Sequence, residues 1–329
     1  MPKLRWLLVG TGDIAKKRVA PAIESEPRSE LYAVMDVSEE RANAFVKQHP
    51  ARVFRNFEKA ISDPSVDAVY IATPVFLHKK QSIRALRAEK HVLCEKPLAL
   101  NIEEANEVVR VAAHSDKKFG VAYFRRFYPR YRMVQEMLEK GEFGQVVLVR
   151  MTYFSWFNPS ENDPKYWRVI PEKSGGGPIS DMGTHMIDVL VGLFDVPVSV
   201  YARVETLTHQ YRVEDSASII MKLKNGAHVV AAFNWNSKTW SHEFEIIGTE
   251  AKVKWHPYDG PKVIKTVGRE ISDIDIPNHE NVHYPLIEDF VSSVLEGREP
   301  VVTAEEALKT TKVVDAIYQS ANRGKEILL

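Results

Sequence analysis

Two stretches of this 329-residue chain carry side chains suited to moving a proton or steadying a charge. The first is Val92-Leu93-Cys94-Glu95-Lys96-Pro97. Its apolar run, His91 to Cys94, stops at a carboxylate, an amine and a proline. A buried parallel strand reads this way when it delivers charged groups to the carboxyl edge of a sheet, the edge outside which ligands sit in open α/β sheets. Proline then keeps the strand from running on inside a ladder. The same Glu-Lys pair also reads as a surface pair ahead of a loop. The second stretch runs from Ser174 to Asp188, where Gly175, Gly176, Gly177 and Pro178 make a loop whose backbone can pass close to a ligand. Ser180 is the expected cap of a helix reaching about Phe194. Asp181 and His185, four positions apart, share one face of it, and Asp188 lies near that face. A carboxylate beside an imidazole suits proton transfer at neutral pH. Such a pair also occurs as an ordinary helix pair or as two metal ligands. No second cluster with ligand spacing appears, so no metal is expected.

The elements that must position these groups begin at the amino end. Leu4 to Val9 reads as a compact strand, followed by Gly10-Thr11-Gly12-Asp13-Ile14-Ala15 and a helical run from Lys16 to Glu24. This is the dinucleotide fingerprint with alanine at its third small position. Gly10 allows the tight turn, Gly12 lets backbone approach a pyrophosphate, and the helix N-terminus supplies N–H donors and positive dipole. The pattern calls for an acid about 20 positions on, at the end of the second strand. Asp36, closing Leu31 to Asp36, supplies it. As an acceptor for ribose hydroxyls it favours NAD over NADP, a preference that Ser38 and Arg41 can soften. Asp36 also reads as the cap of a helix from Glu39 to Gln48. The alternation continues with a strand Asp67 to Ala72 ending at Thr73-Pro74, a helix Phe76 to Ala88, the strand His91 to Cys94, a helix Ile102 to His114 capped by Asn101, and a strand Phe119 to Tyr123. This rhythm predicts an α/β doubly wound parallel sheet, a Rossmann domain over residues 1–122.

After Tyr123 the rhythm changes. A helix Tyr128 to Lys140 precedes a strand-like run Val146 to Tyr153, and from Val198 onward strands dominate: Val198 to Leu207, Ala217 to Leu223, Ala227 to Trp235 and Phe244 to Ile247. Lys224-Asn225-Gly226 is a strong hairpin signal. Helices follow at Tyr284 to Glu296 and Ala304 to Asn322. Residues 123–329 therefore read as an α+β domain with a large open, mostly antiparallel sheet for substrate and for oligomerisation. A broad sheet with one free face predicts a homo-oligomer.

Composition narrows the function classes. Lys+Arg equals Asp+Glu at 44 each, so no global field draws the chain to nucleic acid or an anionic membrane. No apolar run approaches the ~20 residues of a membrane span, and the apolar part of the amino end is short for a signal peptide. The single cysteine, Cys94, rules out an internal disulfide and points to a reducing, cytoplasmic setting. Its apolar neighbours make it a buried thiol rather than a nucleophile. Trp6 and Trp255 read as core. Trp156, Phe157, Tyr166, Trp167, Arg168, Arg125, Arg126 and Phe127 flank the glycine loop with aromatic faces and polar groups of the kind that hold sugars.

In order and spacing these pieces resemble the glucose–fructose oxidoreductase / inositol dehydrogenase / MocA (Gfo/Idh/MocA) family over nearly the whole length. The resemblance rests on the Gly10-to-Ala15 turn, Thr73-Pro74 with His78, Glu95-Lys96-Pro97, Arg126 in Arg-Arg-Phe, Trp167-Arg168, Gly175 to Asp188, and Asn281 to Phe290 with Tyr284. It implies an NAD(P)-dependent oxidoreductase acting on sugars, cyclic polyols or related carbonyl compounds, assembled as a homodimer or homotetramer through the open sheet. By the same resemblance Lys96, Asp181 and His185 are catalytic. Gly10, Thr11, Gly12, Asp13, Ile14, Asp36, Thr73, Pro74, His78, Glu95, Lys96, Trp167 and Arg168 bind the cofactor, with Glu95 and Pro97 placing the lysine near the nicotinamide. Lys96, Arg126, Tyr166, Asp181, His185 and Tyr284 bind the substrate. Val75 departs from the polar residue many relatives carry after Thr-Pro, which puts one minor cofactor contact in doubt. Two other functions suit the scaffold: a non-catalytic NAD(P)-binding regulator, against which the retention of Lys96, Asp181 and His185 argues, and a glycosidase that uses bound NAD transiently.

Overall fold

The apolar runs of the amino-terminal part pair into one parallel sheet: β1 (Leu4–Val9), β2 (Ser29–Met35), β3 (Arg52–Phe54), β4 (Ala68–Ile71), β5 (His91–Cys94) and β6 (Phe119–Val121). The strand order is β3-β2-β1-β4-β5-β6, with every pairing parallel. The order in which strands are added reverses between β1 and β4, and the glycine turn after β1 lies at that switch point. The computed structural model describes residues 3–329.

Helix starts are set by side chains that accept the orphan N–H groups of the first turn. Asn101 accepts from Glu104 N at 2.9 Å, as the sequence predicts. Asp36 is not the cap of its helix: Ser38 is, accepting from Arg41 N at 3.3 Å, while Asp36 accepts from Ser38 N. The core of this sheet buries Val69, Ile71, Val92, Cys94 and Val121 against helical Ala85, Leu86, Ala105 and Val108. Each such aliphatic side chain contributes roughly 1.5–3 kcal/mol on full burial.

The chain forms two compact units, and the boundary differs from the expected single cut near residue 123. One unit is the chain up to Phe124 together with His279–Leu308; the other is Arg125–Asn278 with Lys309–Leu329. The segment His279–Leu308 joins the parallel sheet for a packing reason. Its helix Tyr284–Glu296 lays Phe290 on Trp6, with ring centroids 5.4 Å apart, and over Gly120, where a Cβ would come within 3.1 Å of that ring. Val302, Ala304 and Ala307 enter the same core.

The second unit is built on a nine-stranded sheet: β7 (Val146–Trp156), β8 (Ser199–Glu205), β9 (Ser216–Lys222), β10 (His228–Asn234), β11 (Asn236–Gly248), β12 (Ala251–Trp255), β13 (Lys262–Val267), β14 (Glu270–Asp275) and β15 (Ile327–Leu328). Their order is β14-β13-β12-β11-β7-β10-β9-β8-β15, antiparallel except for β7 with β10. The Lys224-Asn225-Gly226 turn closes β9 onto β10, with Gly226 at φ +87° and Leu223 N bonded to Ala227 O at 2.8 Å. Strands β3, β12, β13, β14 and β15 had no clear signal, being short or, as in Glu270–Asp275, mostly exposed and charged. One face of the sheet buries Ile219, Ala231, Met151 and Phe244. Among the described residues no helix is long and apolar enough to cross a membrane.

Candidate active site

In the first unit the glycine turn has the shape a dinucleotide needs. Gly10 sits at φ +92°, donates to Met35 O at 2.8 Å, and leaves no room for a side chain: a Cβ there would meet Ala72 O at 2.8 Å. A Cβ on exposed Gly12 would meet nothing within 4 Å, so backbone is open to a ligand at that point. The chain is helical from residue 13 to 25, with exposed Asp13 and half-buried Ile14 in its first turn. Asp36, buried at the end of β2, accepts from Thr11 N (3.0 Å), Thr11 Oγ1 (2.8 Å), Ser38 N (2.8 Å) and Arg41 Nη2 (2.8 Å). Desolvation pushes its pKa up, but these four donors hold it below the ordinary value. The switch point, the side-chain-free Gly12 and an ionised acid at the end of β2 together fit NAD(P).

Along the same edge stand Thr73, Pro74, Glu95, Lys96 and Pro97, and here the geometry revises several roles. His78, expected at the cofactor, is buried, with Nδ1 2.8 Å from Pro97 O and Nε2 2.8 Å from Thr73 O. It ties the end of β4 to the residue after Lys96. Thr73 Oγ1 donates to Gln81 at 2.6 Å. Glu95 likewise turns inward. Tyr70 donates to its Oε1 at 2.9 Å, His283 Nε2 stands 3.6 Å from the same oxygen, and Lys96 N donates to Oε2 at 3.3 Å. Desolvation alone would raise the Glu95 pKa; His283, Tyr70 and the Lys96 charge outweigh it and keep the carboxyl below its ordinary range. His283 is buried and stacks on Phe124 at 4.5 Å. Tyr284, expected at the substrate, stacks on His279 at 4.6 Å. The residue that reaches Glu95 is its neighbour. Cys94 is buried and its thiol pKa is pushed up, as expected of a structural cysteine.

In the second unit the helix after the glycine loop begins with a π turn, Ile179–Gly183, and continues as α-helix Thr184–Phe194. Ser180 is not its cap; it lies inside the first turn, 3.2 Å from Tyr318 Oη. The cap comes from far along the chain. Glu214 accepts from Gly177 N (2.9 Å), Ile179 N (3.2 Å) and Tyr318 Oη (2.9 Å). Desolvation raises its pKa against those bonds. Gly177 has no room for a Cβ, which would lie 2.1 Å from Glu214 O. On this helix Asp181 is partly exposed, with Arg168 Nε 3.7 Å away, and His185 is buried. Arg168 lies over the ring of Trp167, 4.4 Å from its centroid.

Arg126 is the arginine expected at the substrate. It is buried and forks onto Asp188 at 2.9 and 2.8 Å, where Thr310 Oγ1 also donates at 3.2 Å. A buried bidentate pair of this kind fixes the helix rather than a ligand. Tyr166 packs with Phe157, Tyr153 and Tyr211 around Val169, Val213 and Trp235. Among the described residues no group of three or more His, Cys, Asp or Glu is placed to hold a metal.

Residues 4–123 match the model of an oxidoreductase family with an NAD-binding Rossmann fold, and residues 131–254 match the GFO/IDH/MocA C-terminal domain. The chain belongs to the Gfo/Idh/MocA family. It is an NAD(P)-dependent oxidoreductase of that family, whose relatives include sugar dehydrogenases and reductases. It is 29% identical to Oxidoreductase P35 of Formosa agariphila over 95% of this chain and 98% of the relative. It is 28% identical to the 1,5-anhydro-D-fructose reductase of Ensifer adhaerens, covering 98% of this chain and 97% of that one. The crystal structure of an aldose-aldose oxidoreductase from Caulobacter crescentus, complexed with glycerol, superposes with a TM-score of 0.90 at 25% identity, covering 99% of this chain and all of the other.

Proposed function

We propose that this member of the family moves a hydride between NAD(P) and a hydroxyl or carbonyl carbon of a sugar or cyclic polyol, with Lys96 and His185 handling the oxygen and its proton. The observation that carries this reading is the bracing of Lys96. It leaves the carboxyl end of β5 with Glu95 fixed on one side and Pro97 held through His78 on the other. Bound at the glycine turn, the nicotinamide cofactor supplies the hydride acceptor or donor. Negative charge sits on the substrate oxygen after hydride adds to a carbonyl carbon, or after a hydroxyl gives up its proton ahead of hydride loss, and the Lys96 ammonium would steady it. His185 carries the proton, and Asp181 orients it or takes a neighbouring hydroxyl. Gly12 and the first helical turn hold the pyrophosphate, and Asp36 takes the adenosine ribose and favours NAD.

The sheet of the second unit also carries an open face, and we propose it as the homo-oligomer interface. Tyr201, Ile220, Val230, Arg150 and Glu245 stand in register across five strands on that face. Ile220 and Val230 are about half exposed, at 53% and 46%.

The test is a panel of sugars, inositols and aldehydes with NAD and NADP, read by nicotinamide absorbance. Lys96→Ala should abolish turnover and leave NADH binding largely intact, since in this reading the dinucleotide is held mainly at its pyrophosphate and adenosine ribose, by the glycine turn and Asp36. Near-parental activity in that variant would sink the mechanism. Tight cofactor binding without turnover of any compound would favour a regulator. Sugar released from a glycoside with no net NADH would favour hydrolysis.

A further inference from the structure

We infer that Asp259 and Tyr153 form a second hydroxyl-binding subsite beside Asp181, one that selects a neutral polyhydroxylated substrate. The inference rests on the sugar or polyol reading above and adds a substrate class and two residues to it.

Tyr153 on β7 and His242 on β11 are paired in register two positions beyond Met151 and Phe244, which lie in the core. Side chains two apart share a face of the sheet, so Tyr153 and His242 continue the face that the core covers. On β10, Phe233 is in register with Tyr153. Gly183 presses on Phe233 so closely that a Cβ would lie 2.9 Å from its ring. The helical turn that bears Asp181 is therefore brought against this corner of the sheet. The Tyr153 ring lies 5.1 Å from that of His242; burial raises the pKa of its phenol, a hydrogen bond with Ser155 lowers it, and the charges of Asp181, Arg125 and Asp259 act on it more weakly.

Asp259 is fixed by Arg125, whose Nε and Nη2 each donate at 2.7 Å, and by Tyr128 Oη at 3.2 Å. Arg125 Nη2 also lies 3.7 Å from Met182 Sδ, next to Asp181. Desolvation would raise the Asp259 pKa, but the Arg125 fork brings it down to about 2, so it is ionised at any working pH. Its side chain is nevertheless 38% exposed. A carboxylate offers about four acceptor positions, and Arg125 and Tyr128 fill three. On the side of the fourth, on Oδ2, His242 Nδ1 stands at 3.8 Å, beyond hydrogen-bond range. Burial lowers the His242 pKa to about 4 and keeps that ring neutral, so it does not compete as an ion partner.

The chemistry matches a hydroxyl group, which both donates and accepts. Asp259 Oδ2 accepts its proton, and the Tyr153 phenol donates to its oxygen. Arg125 balances Asp259, and Arg168 balances Asp181, so the corner holds fixed polar groups without a net field for an anion. Aromatic faces of Tyr258 and Trp240 lie around the same histidine, at ring-centroid distances of 4.8 and 6.2 Å.

The probes are D-glucose, D-galactose, D-xylose, myo-inositol, glucose 6-phosphate, and the monodeoxy analogues of whichever neutral compound turns over best. In the parent enzyme, loss of one particular hydroxyl should lower kcat/KM by about tenfold or more, the effect of a hydrogen bond to a charged group. In Asp259→Asn that single penalty should shrink to about threefold or less while the other penalties persist. Tyr153→Phe removes only the phenolic oxygen and should erase the same penalty, which keeps the test open if Asp259→Asn fails to fold. Unchanged penalties in a folded variant, or a kcat/KM for glucose 6-phosphate above that of glucose, would overturn the subsite alone. No turnover of any neutral compound by the parent would overturn the sugar reading and the subsite with it.

Discussion

The proposed function makes cofactor choice turn on Asp36, and the prediction is that Asp36→Asn converts an NAD-preferring enzyme to one that uses NADP at least as well. The carboxylate is already saturated by Thr11 N, Thr11 Oγ1, Ser38 N and Arg41 Nη2. A ribose hydroxyl must displace one of these donors, and Arg41 is the weakest held. Its side chain is 59% exposed, so its ion pair is worth about 0–1 kcal/mol. A ribose hydroxyl bonded to a charged acceptor gains roughly 1.5–3 kcal/mol, so the exchange favours NAD. A 2′-phosphate about 4 Å from the same carboxylate is repelled by up to about 4 kcal/mol at an effective dielectric near 20. Displaced Arg41 returns about a quarter of that, by the exposed-pair figure of about 1 kcal/mol. Neutralising Asp36 therefore removes about 1.5 kcal/mol or more from NAD and about 3 kcal/mol of repulsion from NADP. Together that is about 4.5 kcal/mol, and at tenfold per ~1.4 kcal/mol the ratio of kcat/KM for NAD over NADP should fall by roughly three orders of magnitude. Initial rates with each cofactor at saturating substrate measure that ratio directly. A ratio that moves less than about threefold, half of one such ~1.4 kcal/mol step, or a parent enzyme that already prefers NADP, would refute the reasoning.

Two further outcomes separate binding from folding. Gly12→Ala adds a Cβ that meets no protein atom, so the melting temperature should stay put while NADH binding, followed by fluorescence titration, weakens about tenfold or more as the methyl enters the pyrophosphate path; Gly10→Ala, forced to φ +92° and 2.8 Å from Ala72 O, should lower the melting temperature itself. Parental NADH affinity in Gly12→Ala would contradict the assignment. Arg126→Met leaves the fully buried Asp188 carboxylate without its guanidinium, which should cost about 3–5 kcal/mol in urea unfolding, and adding Asp188→Leu should recover most of it; a single variant as stable as the parent would show that the pair is not structural.

The first sheet could be read from the chain because its signals were local and redundant. Apolar runs, glycine and proline stops and side-chain caps such as Asn101 agree with one another there, and the parallel order follows from short right-handed crossovers. The second sheet was harder for identifiable reasons. Strands such as Glu270–Asp275 carry no apolar face, and β15 is two residues long. The parallel pairing of β7 with β10 joins segments far apart in sequence, which no local pattern encodes. The return of His279–Leu308 to the first unit depends on Phe290 finding Trp6 and Gly120, again a long-range fit.

The site shows the same division at finer grain. Residues read from motifs as ligand contacts often turn out to hold the backbone that presents a contact. Glu95 directly precedes Lys96 and His78 holds the residue that follows it, yet both turn inward, one to Tyr70 and His283, the other to the carbonyls of Thr73 and Pro97. Arg126 does the same for the helix of Asp181 and His185 through Asp188, and Glu214 does so for the glycine loop. A long, flexible lysine loses substantial side-chain entropy when held for chemistry. A backbone fixed on both sides leaves only its own torsions to be ordered when substrate arrives. In the proposed mechanism the motif Glu-Lys-Pro is thus one reactive group between two anchors. The partners of those anchors, Tyr70, His78 and His283, come from three separate segments, so only the fold could reveal them.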